Sequence, residues 1–181
     1  KIFILISGIF AFANFSYMFF VLKAQQHFSG KLSIALPVLL YVLFNIFYAS
    51  FSAPFGALSD RIGRKKVISS GYFLFFLTST GFIFLDSAVS LLILFSMYGL
   101  TLALIDANQR AFVSDLSSGN QRAIALGTFH TVIGLAAFLS SLIAGLLWQV
   151  NPVYTFIYGS IVSLVSVIVF IGWKTPDAEK N

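Results

Sequence analysis

Charged residues divide this chain into long apolar runs. No Asp, Glu, Lys or Arg occurs from Ile2 to Leu22, from Leu32 to Ser59, from Val67 to Leu85, from Ser87 to Ile105, or from Ala123 to Trp173. A helix needs about 20 consecutive apolar residues to cross the hydrocarbon of a bilayer. Each of the first four runs is about that long, and the last is long enough for two crossings. Its break falls at Trp148-Gln-Val-Asn-Pro152, where Gln149 and Asn151 are polar and Pro152 lacks an amide donor. The pattern predicts six transmembrane helices, at about 2–23, 33–59, 67–85, 88–114, 123–148 and 152–173, with a polar tail at 174–181. The fold class expected is an all-α integral membrane protein. Short connections and the absence of a linker or low-complexity tract make it one domain.

Composition agrees. The chain is 59% hydrophobic and 17% aromatic, and only 9% charged, where a water-facing surface would need roughly 25% charged residues. Lipid is therefore the expected solvent. Cysteine is absent, which excludes disulfides and thiolate metal sites. Lys1 and Ala11-Phe12-Ala13 imitate a secretory signal, but the apolar run continues to Leu22, so a retained span is expected. Lys1 in place of an initiator Met suggests upstream sequence, and the polar TPDAEKN tail looks like a natural end.

The cations set the topology. One side collects Lys1, Arg61, Arg64, Lys65, Lys66, Arg122, Lys174 and Lys180, against only Lys23 and Lys31 on the other. By the positive-inside rule both ends of the segment are cytoplasmic, in a cell (plasma or inner) membrane. The net charge of +5 is covered by these retention signals, so no nucleic-acid partner is expected. Small residues predict where helices meet closely. The fifth helix, with Gly127, Gly134, Ala137, Ser141 and Gly145, is expected to be buried, and the third, with Tyr72, Phe73, Phe75, Phe76, Phe82 and Phe84, to be peripheral.

Charge concentrates in Gly56-Ala-Leu-Ser-Asp-Arg-Ile-Gly-Arg-Lys-Lys66, between the second and third predicted helices. Gly56, Leu58, Asp60, Arg61, Gly63, Arg64, Lys65 and Lys66 resemble the G-x-L-x-D-R-x-G-R-[KR]-[KR] signature of the major facilitator superfamily. A second stretch, Asp106-Ala-Asn-Gln-Arg-Ala-Phe-Val-Ser-Asp-Leu116 with Arg122, is similar to the region between the fourth and fifth helices of the carboxyl-terminal half of bacterial members. The usual form there is E-G-x-x-R-A-x-x-x-D-L followed by R-G-x-x-x-G. Asp106, Ala107 and Ala123 depart from it, which leaves the subfamily open. The resemblance covers the whole chain as one half of a twelve-helix transporter, itself a 3+3 inverted repeat. It implies the carboxyl-terminal half, a missing amino-terminal half as partner, and a small-molecule substrate.

The resemblance gives Asp60 a role as acceptor for backbone amides at a helix start in the opposing half, stabilising one gate conformation; an ordinary loop carboxylate paired with Arg61 or Arg64 is the alternative. The physical basis is an anion at a positive helix terminus. Gly56 is expected to allow close helix approach and Gly63 a tight turn, while Pro54 could kink its helix. Asp106 and Arg110 stand one turn apart with the acid first, the favourable order for an ion pair. Asp106 lies roughly 13 Å in from Asp115 at 1.5 Å per residue, so it must face the bundle and needs a partner, Arg110 or Arg64. Three roles are open for it: a gating network with Arg110, Arg64 and Asp60, a proton-coupling site, or a static buried pair.

Cavity candidates are Asn14 and Tyr17, expected on one face of the first helix near mid-membrane. Asn45, Tyr48, Tyr98, Thr101, Asn108, Gln109 and His130 are weaker ones, and each could instead bond a neighbouring helix. His27, His130 and the sole glutamate, Glu179, assemble no metal cluster or catalytic constellation. No enzyme activity, metal or cofactor is expected. The reading is secondary active transport of a small solute by alternating access, with proton-coupled efflux as its specific form and sugar or organic-anion uptake as rival. A non-transporting scaffold or regulator on the same fold is the alternative.

Overall fold

The computed structural model of the chain describes residues 1–28 and 32–174. Lys31, Glu179, Lys180 and most of the predicted tail lie outside the described residues. The α-helices are α1 (Ile2–Ala13), α2 (Met18–His27), α3 (Leu32–Ile62), α4 (Arg64–Phe84), α5 (Ala88–Asp115), α6 (Arg122–Val150) and α7 (Pro152–Gly172), with a 3-10 turn at Gly119–Gln121 before α6. With α1 and α2 taken together, 6 segments are long and apolar enough to cross a membrane.

The first crossing departs from the single helix expected over 2–23. It breaks between Ala13 and Met18, although no Pro or Gly stands there. The cause is tertiary. Ser140 Oγ on α6 donates to the Phe12 carbonyl at 2.5 Å, and Ser141 Oγ accepts from the Ser16 amide at 3.2 Å. A bilayer tolerates irregular backbone only where other helices satisfy the freed groups, and this adjacent serine pair does so. At the other interruption the sequence acts alone: Asn151 Oδ1 accepts from the Val153 amide at 2.9 Å and Pro152 opens α7, where its missing N–H costs nothing.

The core is aromatic. Phe20, Phe75, Phe82, Phe95, Phe156 and Phe170 are all at most 1% exposed. Phe82 stacks on Phe156 at 5.2 Å, and Phe20 meets Tyr98 at 4.4 Å and Phe82 edge-on at 5.0 Å. Pairs of this kind contribute about 0.5–1.5 kcal/mol each beyond their burial. Tyr72 lies flat on Phe10 at 4.0 Å and its hydroxyl accepts from Gln109 Nε2 at 2.6 Å, joining α1, α4 and α5.

This core reverses two expectations. α4, expected at the periphery, sits between α5 and α7 with Tyr72, Phe75 and Phe82 turned inward; only its other face, with Phe73 and Phe84, is exposed. α6, expected to be buried, is among the least covered: 17% of the apolar stretch is buried in α3 and in α6, against 44–50% in the others. Bulk fills a core as readily as it faces lipid, and small residues mark close packing only on the side where a partner stands. α6 uses Ala136, Ser140 and Ala144 for its buried seam, while a side chain at Gly127 or Gly134 would meet nothing within 4 Å.

Candidate functional site

The charged motif occupies one end of the bundle. α3 runs to Ile62 and α4 starts at Arg64, so the loop expected there reduces to Gly63 alone. Its φ of 96° is the only positive one among the described residues, a conformation that favours glycine. The reversal sends Arg64 back against the end of α3. Its Nη2 contacts Asp60 Oδ1 at 3.0 Å, its Nη1 donates to Ser59 Oγ at 3.3 Å, and its Nε donates to Asp115 Oδ2 at 2.5 Å. One guanidinium thus ties the ends of α3, α4 and α5. Its planar fork of donors lets it serve both carboxylates at once.

Lys65 serves another helix. Its Nζ donates to the Trp173 carbonyl at 2.5 Å and the Ile171 carbonyl at 3.2 Å, and lies 5.9 Å over the Phe170 ring. A cation there complements the negative end of α7 and satisfies carbonyls without an intrahelical partner. Arg61 and Lys66 are exposed. Gly56 does not mark a close approach as expected, since nothing lies within 4 Å of where its Cβ would be. Pro54, like Pro37, lies inside α3.

The expected network of Asp60, Arg64, Arg110 and Asp106 is not formed. Arg64 is taken by Asp60 and Asp115, and no ion pair within 4.0 Å joins Asp106 to Arg110 among the described residues. Asp106 Oδ2 instead accepts from the Tyr48 hydroxyl of α3 at 2.9 Å. α3 lies directly along α5, so a phenol reaches the carboxylate first; Arg110, one turn on, points to the exposed face.

Asn14 and Tyr17 do not share a helical face, because the break in the first crossing lies at them. Asn14 ends α1, and its Oδ1 is buried without a hydrogen-bond partner. Tyr17 is 40% exposed and stacks on Tyr41 of α3 at 4.8 Å. Tyr41 continues to Phe44 at 5.6 Å and Phe44 to Tyr48 at 6.3 Å, so an aromatic strip runs from the break to Asp106. The weaker candidates divide. Gln109 and Tyr98 belong to the core, Asn45, Thr101 and Asn108 bond carbonyls of their own helices, and His130 is exposed on α6.

Sequence reasoning missed Asp115 as the partner of Arg64, Tyr48 as the partner of Asp106, and Tyr41. Asp115 carried a signal, as the acid of the second resembling stretch. Tyr48 entered only as a cavity candidate and Tyr41 not at all, because their roles depend on which turns of α3 lie beside α5 and α2.

A family model described as Major Facilitator Superfamily matches residues 3–181. An uncharacterized MFS-type transporter of Methanocaldococcus jannaschii is 51% identical over 174 residues, covering 94% of this chain and 44% of the relative. An uncharacterized MFS-type transporter of Bacillus subtilis is 27% identical over 140 residues, covering 76% of this chain and 34% of the relative. The chain thus spans less than half the length of these relatives. With its helices, its charged turn and a match over nearly its whole length, this multi-pass membrane chain belongs to the major facilitator superfamily.

Proposed function

We propose that this chain is the carboxyl-terminal half of a secondary active transporter, exporting a small solute by proton antiport as it rocks against an amino-terminal six-helix half. The observation that carries the reading is the Arg64 hub: three helix ends joined through two partly exposed carboxylates, Asp60 and Asp115. Contacts of this strength, roughly 0.2–1 kcal/mol each at an exposed site, can form and break within a transport cycle. Asp60 keeps 63% of its side chain exposed, free to accept amides from an opposing helix start. The uncovered faces of α3 and α6 support a second half as partner. Their apolar faces fit either that half or lipid, and the cations of the motif end fit a cytoplasmic position.

In this reading Arg64 and its carboxylates gate the cytoplasmic side, and Asp106, a carboxylate within a span, carries the proton with Tyr48 holding one oxygen. The test is flux in proteoliposomes holding the full-length protein, with a panel of neutral, cationic, anionic and zwitterionic solutes and an imposed pH gradient. Expected are gradient-driven flux of at least one solute, loss of gradient dependence in Asp106→Asn, and a changed rate in Arg64→Gln. Coupled flux unchanged in Asp106→Asn would remove the proton role. No flux of any solute would favour the scaffold reading.

A further inference from the structure

The charges beside the aromatic strip point to a class of substrate. Asp106 and Arg110 are one turn apart in the order that normally collapses into an ion pair, yet they stay more than 4.0 Å apart. Asp106 is half-buried at the seam with α3, with one oxygen held by Tyr48. Arg110 is exposed beside it and makes no hydrogen bond or ion pair among the described residues. The protein thus presents two separated, opposite charges on adjacent turns of one helix within a span. Charges at that depth require complements.

A small molecule with a single charge, or none, leaves at least one of the two unmatched. An organic monocation would satisfy Asp106 and leave Arg110 unmatched, a monoanion would do the reverse, and a neutral sugar would match neither. A molecule with an ammonium and a carboxylate on one carbon places the first on Asp106 and the second on the Arg110 guanidinium. Tyr17, Tyr41 and Tyr48, the partly exposed rings of the strip, give its body aromatic surface to lie on, with Phe44 buried behind them, and this surface favours an aromatic group by offset stacking. From this we infer that the site takes an amino-acid-like zwitterion with an aromatic side chain. The inference rests on the transport reading above and specifies its substrate.

The test uses the full-length protein in proteoliposomes and three probes with one aromatic body: L-phenylalanine, phenethylamine and 3-phenylpropionate. Wild type is expected to move L-phenylalanine at least tenfold better than either single-charge analogue, a comparison that needs no variant to fold. Arg110→Gln should lose at least tenfold on L-phenylalanine and keep its flux of phenethylamine; Asp106→Asn should lose at least as much on L-phenylalanine, and any 3-phenylpropionate flux that remains should no longer respond to the pH gradient. Equal wild-type flux of the three probes, or an unchanged probe ratio in Arg110→Gln, overturns the assignment. Flux of some other solute with none of the probes moving overturns the zwitterion and leaves transport standing. The absence of any flux across the wider panel defeats the transport reading as well.

Discussion

Replacing Gly99 by alanine tests how closely α3 and α5 must lie. A Cβ on Gly99 would stand 2.5 Å from the Phe44 carbonyl oxygen, 2.8 Å from Phe47 Cβ and 3.2 Å from the Tyr48 amide nitrogen. None of these atoms can rotate away, since two are backbone and the third is the first atom of its side chain. To reach an ordinary contact α3 must shift locally by about 0.9 Å, an overpacking that costs roughly 1–3 kcal/mol. Alanine returns up to about 1 kcal/mol through its better helix propensity. The net loss is therefore roughly 0–3 kcal/mol, centred above 1 kcal/mol. The shift also acts at Tyr48, so the 2.9 Å hydrogen bond to Asp106 lengthens and the loss grows. Thermal unfolding of the full-length protein in detergent measures the effect, with Gly172→Ala as control because nothing lies within 4 Å of that added Cβ. If Gly99→Ala unfolds at the same temperature as Gly172→Ala, the close approach of α3 to α5 is wrong.

Three further outcomes follow from other contacts. Tyr72→Phe removes the acceptor for the buried Gln109 amide and should destabilise by about 1–3 kcal/mol; adding Gln109→Leu should recover part of that loss, read as a coupling energy in a double-mutant cycle of unfolding. Lys65→Met leaves the Ile171 and Trp173 carbonyls without their donor, so amide exchange in the last turn of α7 should speed up severalfold while that of the α4 core does not. Arg64→Gln removes both carboxylate contacts and should lower stability by about 1 kcal/mol at low salt, a difference that shrinks in 1 M salt because exposed charges are screened. A salt-independent loss would mean that packing of the Arg64 stem, rather than charge, holds the three helix ends.

The sequence by itself determined the solvent, the spans and the charged turn. Apolar runs bounded by charges are a one-dimensional property set by bilayer thickness, and Gly63 had to be glycine once two antiparallel helices were joined through a single residue of positive φ. Pro152 after Asn151 likewise marks its own helix start. Tertiary structure decided everything that depends on which faces meet. Ser140 and Ser141 break the first crossing from another helix, invisibly to any reading of residues 2–27. The phenylalanines of α4 could have faced lipid or core, because both are apolar, and only the positions of α5 and α7 chose between them. Asp106 could have paired with Arg110 by spacing alone, but α3 placed the Tyr48 hydroxyl within 2.9 Å and left the arginine free on the open face. Local spacing shows which pairs are possible along one helix; which pairs form depends on the helix that packs beside it.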